Sequence, residues 1–208
     1  KYKDCELIAY EIKESNVYVE KNFSYDEAEE IIVKKDKKYK DLLELWDNMI
    51  KIDNNIIDTH KLIEYLMIKS NQLVGETLYK YDKNGSILRT HKIKSDYSEE
   101  EKVSDVLNNY LKLKTYESAK YEINSDNIYH AGLELEFYTH YTSPIRRVVD
   151  ILNHLNLKKY LNNEKLLKID DNLIEKINKQ NKLIKKFSFD CKILDVFYNI
   201  NDKEYNCE

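Results

Sequence analysis

Thr142-Ser143-Pro144-Ile145-Arg146-Arg147-Val148-Val149-Asp150 is the stretch on which the reading of this chain turns. Ser143 is a favoured residue for capping a helix N-terminus. Pro144 suits the first helical position, where its missing N–H costs nothing. The pair predicts a helix opening at Ser143, with orphan N–H groups and the positive end of its dipole there. Arg146 and Arg147 then fall in the first turn, the unfavourable end for a cation. The placement makes sense if an anion belongs there. A helix N-terminus beside a guanidinium fork is a compact phosphate site, with a bidentate geometry that arginine offers and lysine does not. Asp150 lies four residues after Arg146, and His154 four further on, so the three share one face and Asp150 is placed to hold Arg146 in one rotamer. Ile145, Val148, Val149 and Leu152 supply apolar contacts around the rest of the turn. The spacing alone equally fits an ordinary surface ion pair, worth less than about 1 kcal/mol.

Composition makes the arginines stand out. The chain has 208 residues, with 34 Lys+Arg against 38 Asp+Glu and a formal charge of -4. Only Arg89, Arg146 and Arg147 are arginine, Pro144 is the single proline, Trp46 the single tryptophan, and Gly75, Gly85 and Gly132 are the only glycines. A lysine-rich chain has thus placed two of its arginines directly behind its one proline. The length suffices for one sizeable domain with a core, and no apolar run is long enough to span a bilayer. Cys5, Cys191 and Cys207 are too few and too scattered for a disulfide scaffold or a structural zinc site. They fit an intracellular, reducing compartment, cytoplasm or nucleus alike. The first residues look like strand sequence without a leader, and both ends read as cuts through a longer polypeptide.

Elsewhere the patterning is mainly helical. Residues 5–21 read as two strands around a turn near Glu14-Ser15-Asn16. Ser24-Tyr25-Asp26-Glu27 is a capping box opening a short helix. Helical spacing recurs over 39–52 and about 59–78, and Asp82-Lys83-Asn84-Gly85 is a turn leading into Ile87-Leu88-Arg89-Thr90-His91. Ser98 to Glu101 is a second capping box, for a helix reaching about Leu113. Lys114 to Tyr141 alternates irregularly, predicting short strands and loop that carry His130, Gly132 and His140. A long helix is predicted over about 171–198. The fold class is α+β, predominantly helical with a minority of antiparallel strands. No acidic cluster has metal-ligand spacing. Asp36, Asp41, Asp47 and Asp53 read as a solvated face.

The segment from His130-Ala131-Gly132-Leu133 through Tyr138-Thr139-His140-Tyr141-Thr142-Ser143-Pro144-Ile145-Arg146-Arg147 to Asp150, Asn153 and His154 resembles the signature of the RNB family, the ribonuclease II, ribonuclease R and Dis3-like exoribonucleases. Other stretches are similar to the same family in order: Cys5 to Ile12, Phe23 to Ala28, Ile63-Glu64-Tyr65-Leu66-Met67 to Asn71, Leu88-Arg89-Thr90-His91, and Ile177 to Asn181. The resemblance implies that residues 1–198 are part of an RNB catalytic domain and that 199–208 begin a following S1-type domain or a linker. It implies 3′-to-5′ hydrolysis of single-stranded RNA with release of nucleoside monophosphates, and Mg²⁺ held by an aspartate cluster for which this chain shows no counterpart.

On the same resemblance, Arg146 holds the scissile phosphate. Ser143, Arg147, Tyr141, His140 and His154 contact RNA or phosphate. Asp150, Asn153, Glu64, Asn71, Arg89, His91, His130 and Gly132 support the site. Tyr138 and Tyr141 are candidates for stacking on bases, and the lysines from Lys158 to Lys186 for tracking a phosphate backbone or simply forming a solvated face. Four places depart from the pattern: Val148 replaces an aromatic, Leu155 an arginine, Ser188 a glutamate on the last helix, and Lys92-Ile93-Lys94-Ser95 stands where a proline would follow the Arg-x-His element. Two readings follow. One is a segment of an exoribonuclease, inactive by itself, that needs metal ligands from elsewhere in the polypeptide. The other is a degenerate relative that binds RNA or protein partners.

Overall fold

The computed structural model describes residues 2–3, 6–7, 9–94 and 104–198. A minimal hairpin pairs β1 (Tyr2–Lys3) with β2 (Glu6–Leu7). Residues 9–23 then run without regular secondary structure, so the two strands expected around Glu14-Ser15-Asn16 do not form there. Alternation over 5–21 was a misleading signal because strand pairing needs a burying face. Here Val17, Tyr18 and Val19 are solvent-exposed, with nothing packed against them to reward extension.

Helix α1 (Tyr25–Lys34) opens as its capping box predicts. The Ser24 hydroxyl accepts from the Glu27 amide at 3.1 Å, and the Glu27 carboxylate accepts from the Ser24 amide at 2.9 Å. A 3₁₀ turn (Lys37–Tyr39) leads into α2 (Lys40–Ile52), and Asp58 caps α3 (Thr59–Tyr81) by accepting from the Lys61 amide. The segment β3 (Ile87–Thr90) follows, and α4 (Asp105–Lys114) starts with the Ser104 hydroxyl accepting from the Leu107 amide. The capping box at Ser98–Glu101 lies outside the described residues, as do 199–208. Three short strands come next: β4 (Lys120–Ile123), β5 (Tyr129–His130) and β6 (Leu135–Glu136). Two helices close the described chain, α5 (Val148–Leu161) and α6 (Asp171–Tyr198). This is the helix-rich α+β architecture anticipated from patterning, with three separate antiparallel strand pairs among the described residues.

Three apolar clusters hold these elements. Met49, Ile56 and Leu62 join α2 to the start of α3. Val74 and Leu78 on α3 meet Leu157 on α5 and Leu166 beyond it. Ile87, Tyr121, Val149, Ile169 and Ile174 join the β3–β4 pair to the N-terminal end of α5 and the first turn of α6. Each such aliphatic side chain, fully buried, contributes about 1.5–3 kcal/mol. The last cluster fixes where the Arg146-Arg147 segment meets α6.

Polar ties between elements fall largely to asparagine. Asn156, fully buried, donates to the Gly85 carbonyl and accepts from the Leu167 amide. Asn178 on α6 accepts from the Tyr121 amide and donates to the Tyr121 carbonyl, both at 2.8 Å, which fastens the strand edge to the helix. A carboxamide suits this work, since it carries donor and acceptor together and satisfies a backbone residue on both sides.

Candidate RNA-phosphate site

Residues 138–141 form the spine of the site, and four residues lash them in place. The Arg89 amide donates to the Tyr138 carbonyl at 2.8 Å. Asn71, on the buried face of α3, donates to the Tyr138 hydroxyl at 3.2 Å and accepts from the Tyr141 amide at 3.0 Å. Asn153, with no exposed surface, donates to the Thr139 hydroxyl and the His140 carbonyl. His154 donates through Nε2 to the Tyr141 carbonyl at 2.8 Å. Just before the spine, the Phe137 backbone passes so close to α3 that a Cβ on Gly75 would overlap the Phe137 carbonyl oxygen. Only glycine permits that approach.

The helix does not begin where the Ser-Pro signal puts it. Pro144, Ile145 and Arg146 form a separate turn, Arg147 is the N-cap of α5 with extended φ and ψ of -127° and 122°, and α5 starts at Val148. Ser143 therefore caps nothing with its side chain. Its amide instead donates to Asp150 Oδ1 at 2.7 Å. The partner of Asp150 is also not the one inferred from spacing. Arg147, not Arg146, makes a two-pronged pair with it, Nε to Oδ2 and an Nη to Oδ1, both at 2.8 Å. Asp150 is fully buried, so three donors compensate its desolvated charge. An i,i+4 pairing requires helix through 146. Because the chain turns before 147, the i,i+3 residue faces the carboxylate instead.

Arg146 is thereby left exposed, and no carboxylate pairs with it among the described residues. Its turn borders a cavity of about 240 Å³ whose walls are Tyr121, Arg147, Val148 and Val149 on one side and Ile177, Gln180, Asn181 and Ile184 of α6 on the other. The Ile145 side chain, expected to pack, is 96% exposed.

Behind the cavity lies a stack of rings. Arg89 pairs directly opposite Tyr121 across β3 and β4, and its guanidinium sits 5.0 Å from that ring's centre. The Tyr121 hydroxyl is 2.6 Å from His140 Nδ1. Tyr138 packs edge-on against both His140 and His130, and His130 lies 4.9 Å from His91. His91 Nδ1 accepts from the Gly132 amide at 3.0 Å, so close that a Cβ on Gly132 would come within 2.7 Å of that nitrogen. Burial, reinforced by the Arg147 and Arg89 guanidiniums, pushes His140 down to about 3. Burial, with His91 and Arg89, pushes His130 down to about 4. Both are neutral imidazoles at physiological pH, so the cationic character of this region comes from arginine.

Several expected roles do not survive these positions. Tyr138 is only 6% exposed and hydrogen-bonded, so its ring is structural and is not open to a stacking base. Asp150 and Asn153 have no exposed surface and act as ties, Asp150 within the turn and Asn153 on the spine. Glu64 is far from the spine in its contacts: it is exposed and pairs with Lys61 on the surface of α3. Asn71, from the same motif, does support the spine. Tyr141 is half-buried with its ring tilted against His154 at 5.3 Å. Ser188 is exposed on α6, four residues past Ile184, the last α6 residue to line the cavity. Of the lysine run, Lys158 and Lys159 pair with Glu14 and Glu164. Sequence reading matched Ile177 to Asn181 to the family without giving Asn178, Gln180 or Asn181 a role, and it passed over Tyr121; the β3–β4 register and the packing of α6 give these residues their places.

The described residues do not fit a magnesium ion. No group of three or more His, Cys, Asp or Glu side chains among them is arranged to hold a metal, and the acid nearest Arg146 in sequence is engaged by Arg147 and the Ser143 amide. No helix of the described residues is long and apolar enough to cross a membrane.

Comparison with known proteins shows the family of the chain. The RNB domain profile matches residues 44–163, more than half of the chain, and the chain belongs to the RNB family. Ribonuclease R of Chlamydia pneumoniae is 26% identical over 220 aligned positions, covering 73% of this chain and 32% of that protein. Ribonuclease R of Helicobacter pylori is 31% identical over 134 positions, covering 50% of this chain and 21% of its own length. Ribonuclease R of Aquifex aeolicus is 47% identical over 57 positions, covering 27% and 8%. The chain thus spans no more than about a third of the length of these relatives. Among solved structures, yeast Ssd1, described as a pseudonuclease, aligns over 57% of this chain and 19% of its own with 22% identity and a TM-score of 0.47.

Proposed function

We propose that this chain is the phosphate-holding part of an RNB-type exoribonuclease that shortens single-stranded RNA from its 3′ end and releases nucleoside monophosphates. The observation that carries the reading is the division of labour between adjacent arginines. Arg147 is locked on buried Asp150, which fixes the turn, while Arg146 projects from that turn without an acidic partner among the described residues. A guanidinium held in place by its backbone, and not by a carboxylate, keeps its donors for a phosphate oxygen. As a phosphodiester is cleaved, charge builds on the non-bridging oxygens, and a fixed cation there stabilises the transition state more than the bound substrate. Ser143 contributes by its amide, which aligns the turn through Asp150.

The family's nucleases are generally metal-dependent. Since the described residues offer no metal site, the ligands for Mg²⁺ are assigned to another part of a longer polypeptide. Residues 1–198 are then part of a catalytic domain, and 199–208 lead into a following S1-type domain. The second reading, a degenerate relative that binds RNA or a protein partner, is favoured by Ser188, which puts a hydroxyl where the resemblance calls for a carboxylate on α6. The test is mononucleotide release from 3′-labelled single-stranded RNA by the 208-residue chain and by the polypeptide that contains it. The enzyme reading expects none from the chain alone with Mg²⁺ and release by the longer polypeptide. Inactivity of both, with RNA still bound, would favour the degenerate reading.

A further inference from the structure

Tyr121 is held at every polar atom it has. The Asn178 carboxamide takes its amide and its carbonyl, and its hydroxyl lies 2.6 Å from His140 Nδ1. The direction of that last bond follows from its length and its surroundings. A separation of 2.6 Å falls within the range of O–H donors and short of the range of N–H donors. The Arg89 guanidinium, 5.0 Å from the centre of the Tyr121 ring, can only donate and so cannot take the phenolic proton. Asp150 is already engaged by Arg147 and the Ser143 amide. Tyr121 therefore donates, His140 Nδ1 accepts, and the neutral imidazole carries its proton on Nε2. Burial, with Arg147 and Arg89 beside it, keeps His140 neutral.

The His140 carbonyl accepts from Asn153, so the main chain and the ring of this residue are both fixed. Its Nε2 has no hydrogen-bond partner among the described residues. Tyr121 is at the same time a wall of the cavity beside Arg146, so its hydroxyl couples that wall to the 138–141 spine. An imidazolium would add a cation to a corner that already holds all three arginines of the chain. A neutral ring adds a directional donor without further charge.

We infer that Tyr121 is a positioning residue: its hydroxyl sets the tautomer and rotation of His140, which then presents Nε2–H as an uncharged donor to the RNA strand whose phosphate Arg146 holds. The inference rests on the phosphate role of Arg146 and gives the strand a second, neutral point of attachment.

The test has two readouts. The first is the nitrogen-15 imidazole spectrum of the 208-residue chain at neutral pH, in which each of the five histidines reports which ring nitrogen carries the proton. His140→Gln identifies the His140 signals. The wild-type chain is expected to show His140 protonated on Nε2 alone, and Tyr121→Phe, which keeps the ring and the Asn178 clamp, to show both tautomers. A proton on Nδ1 in the wild-type chain, or an unchanged spectrum in the variant, would overturn the inference.

The second readout is affinity of the complete polypeptide for single-stranded RNA in chelator, with an unchanged far-ultraviolet spectrum verifying that each variant folds. His140→Ala is expected to weaken binding by about tenfold, the size of one lost hydrogen bond to a charged group, and Tyr121→Phe several-fold. His140→Gln has a carboxamide donor near the place of Nε2 and no tautomer to set. It should stay within about threefold of wild type and lose nothing more when Tyr121→Phe is added. A His140→Gln variant as weak as His140→Ala would overturn the donor role, and a full further loss on adding Tyr121→Phe would make the tyrosine purely structural. Turnover of Arg146→Ala separates the two claims. If it falls while Tyr121→Phe and His140→Ala bind as wild type, the phosphate role stands and this inference falls. If it is unchanged, the phosphate role falls, and with it the inference built on it.

Discussion

Arg147 grips Asp150 through two hydrogen bonds of 2.8 Å at a point where Asp150 has no exposed surface, while Arg146, one residue earlier, has no such partner among the described residues. Removing one member of a buried, hydrogen-bonded ion pair leaves an uncompensated charge and costs about 3–5 kcal/mol. Arg147→Ala is therefore expected to destabilise the fold by about 3 kcal/mol. Arg146→Ala should change stability by no more than about 0.5 kcal/mol, as exposed substitutions usually do. Urea denaturation of the two variants measures the contrast, and equal losses would show that the arginines share one structural role.

The neutral histidines give a pH signature. The ordinary imidazole value is near 6.5, and folding lowers His140 to about 3 and His130 to about 4. Between these values the unfolded chain binds protons that the folded chain refuses, so the histidine contribution to stability is intact above pH 6.5 and declines as pH falls toward 4. Each histidine can add a slope of at most about 1.4 kcal/mol per pH unit in that window. His130→Gln should flatten the fall in thermal midpoint between pH 6.5 and 4 without altering the slope above pH 7. An unchanged acid limb would mean that His130 titrates normally.

Gly75 offers a test of the α3 contact. In a helix interior, Gly→Ala ordinarily stabilises by about 1 kcal/mol. Here the new Cβ would collide with the Phe137 carbonyl, which is backbone and cannot rotate away. Gly75→Ala is expected to destabilise by about 1–3 kcal/mol, the usual cost of overpacking. A stabilised variant would place the 137–141 spine farther from α3.

Elements with strong local signals were legible without coordinates. The capping box at Ser24, the Asp82 to Gly85 turn and the long α6 all come from patterns within a few residues, and the structure contains each. The importance of Pro144, Arg146 and Arg147 was legible from their scarcity. What failed were inferences that needed tertiary context. A Ser-Pro pair scores as a helix start whether or not the chain can turn once more before the helix. Here the Ser143 amide reaches Asp150 and makes that turn. Alternation over 5–21 predicted strands with no knowledge that no surface would cover them. Glu64 and Asn71 belong to one motif and, seven residues apart on α3, lie on nearly the same face; the spine covers the helix only at the level of Asn71, about 10 Å farther along the axis, and Glu64 is left in solvent. Tyr121 carried no local signal, because its place opposite Arg89 is a property of strand register.

The central claim is that Arg146 acts on the phosphate in the transition state more than in the bound complex. It is tested most directly by turnover and RNA affinity of Arg146→Ala in the complete polypeptide, measured side by side on one single-stranded substrate. The account predicts that turnover falls by about 100-fold or more while the dissociation constant rises by no more than about threefold. A comparable loss in both would make Arg146 a ground-state binding residue and contradict the account.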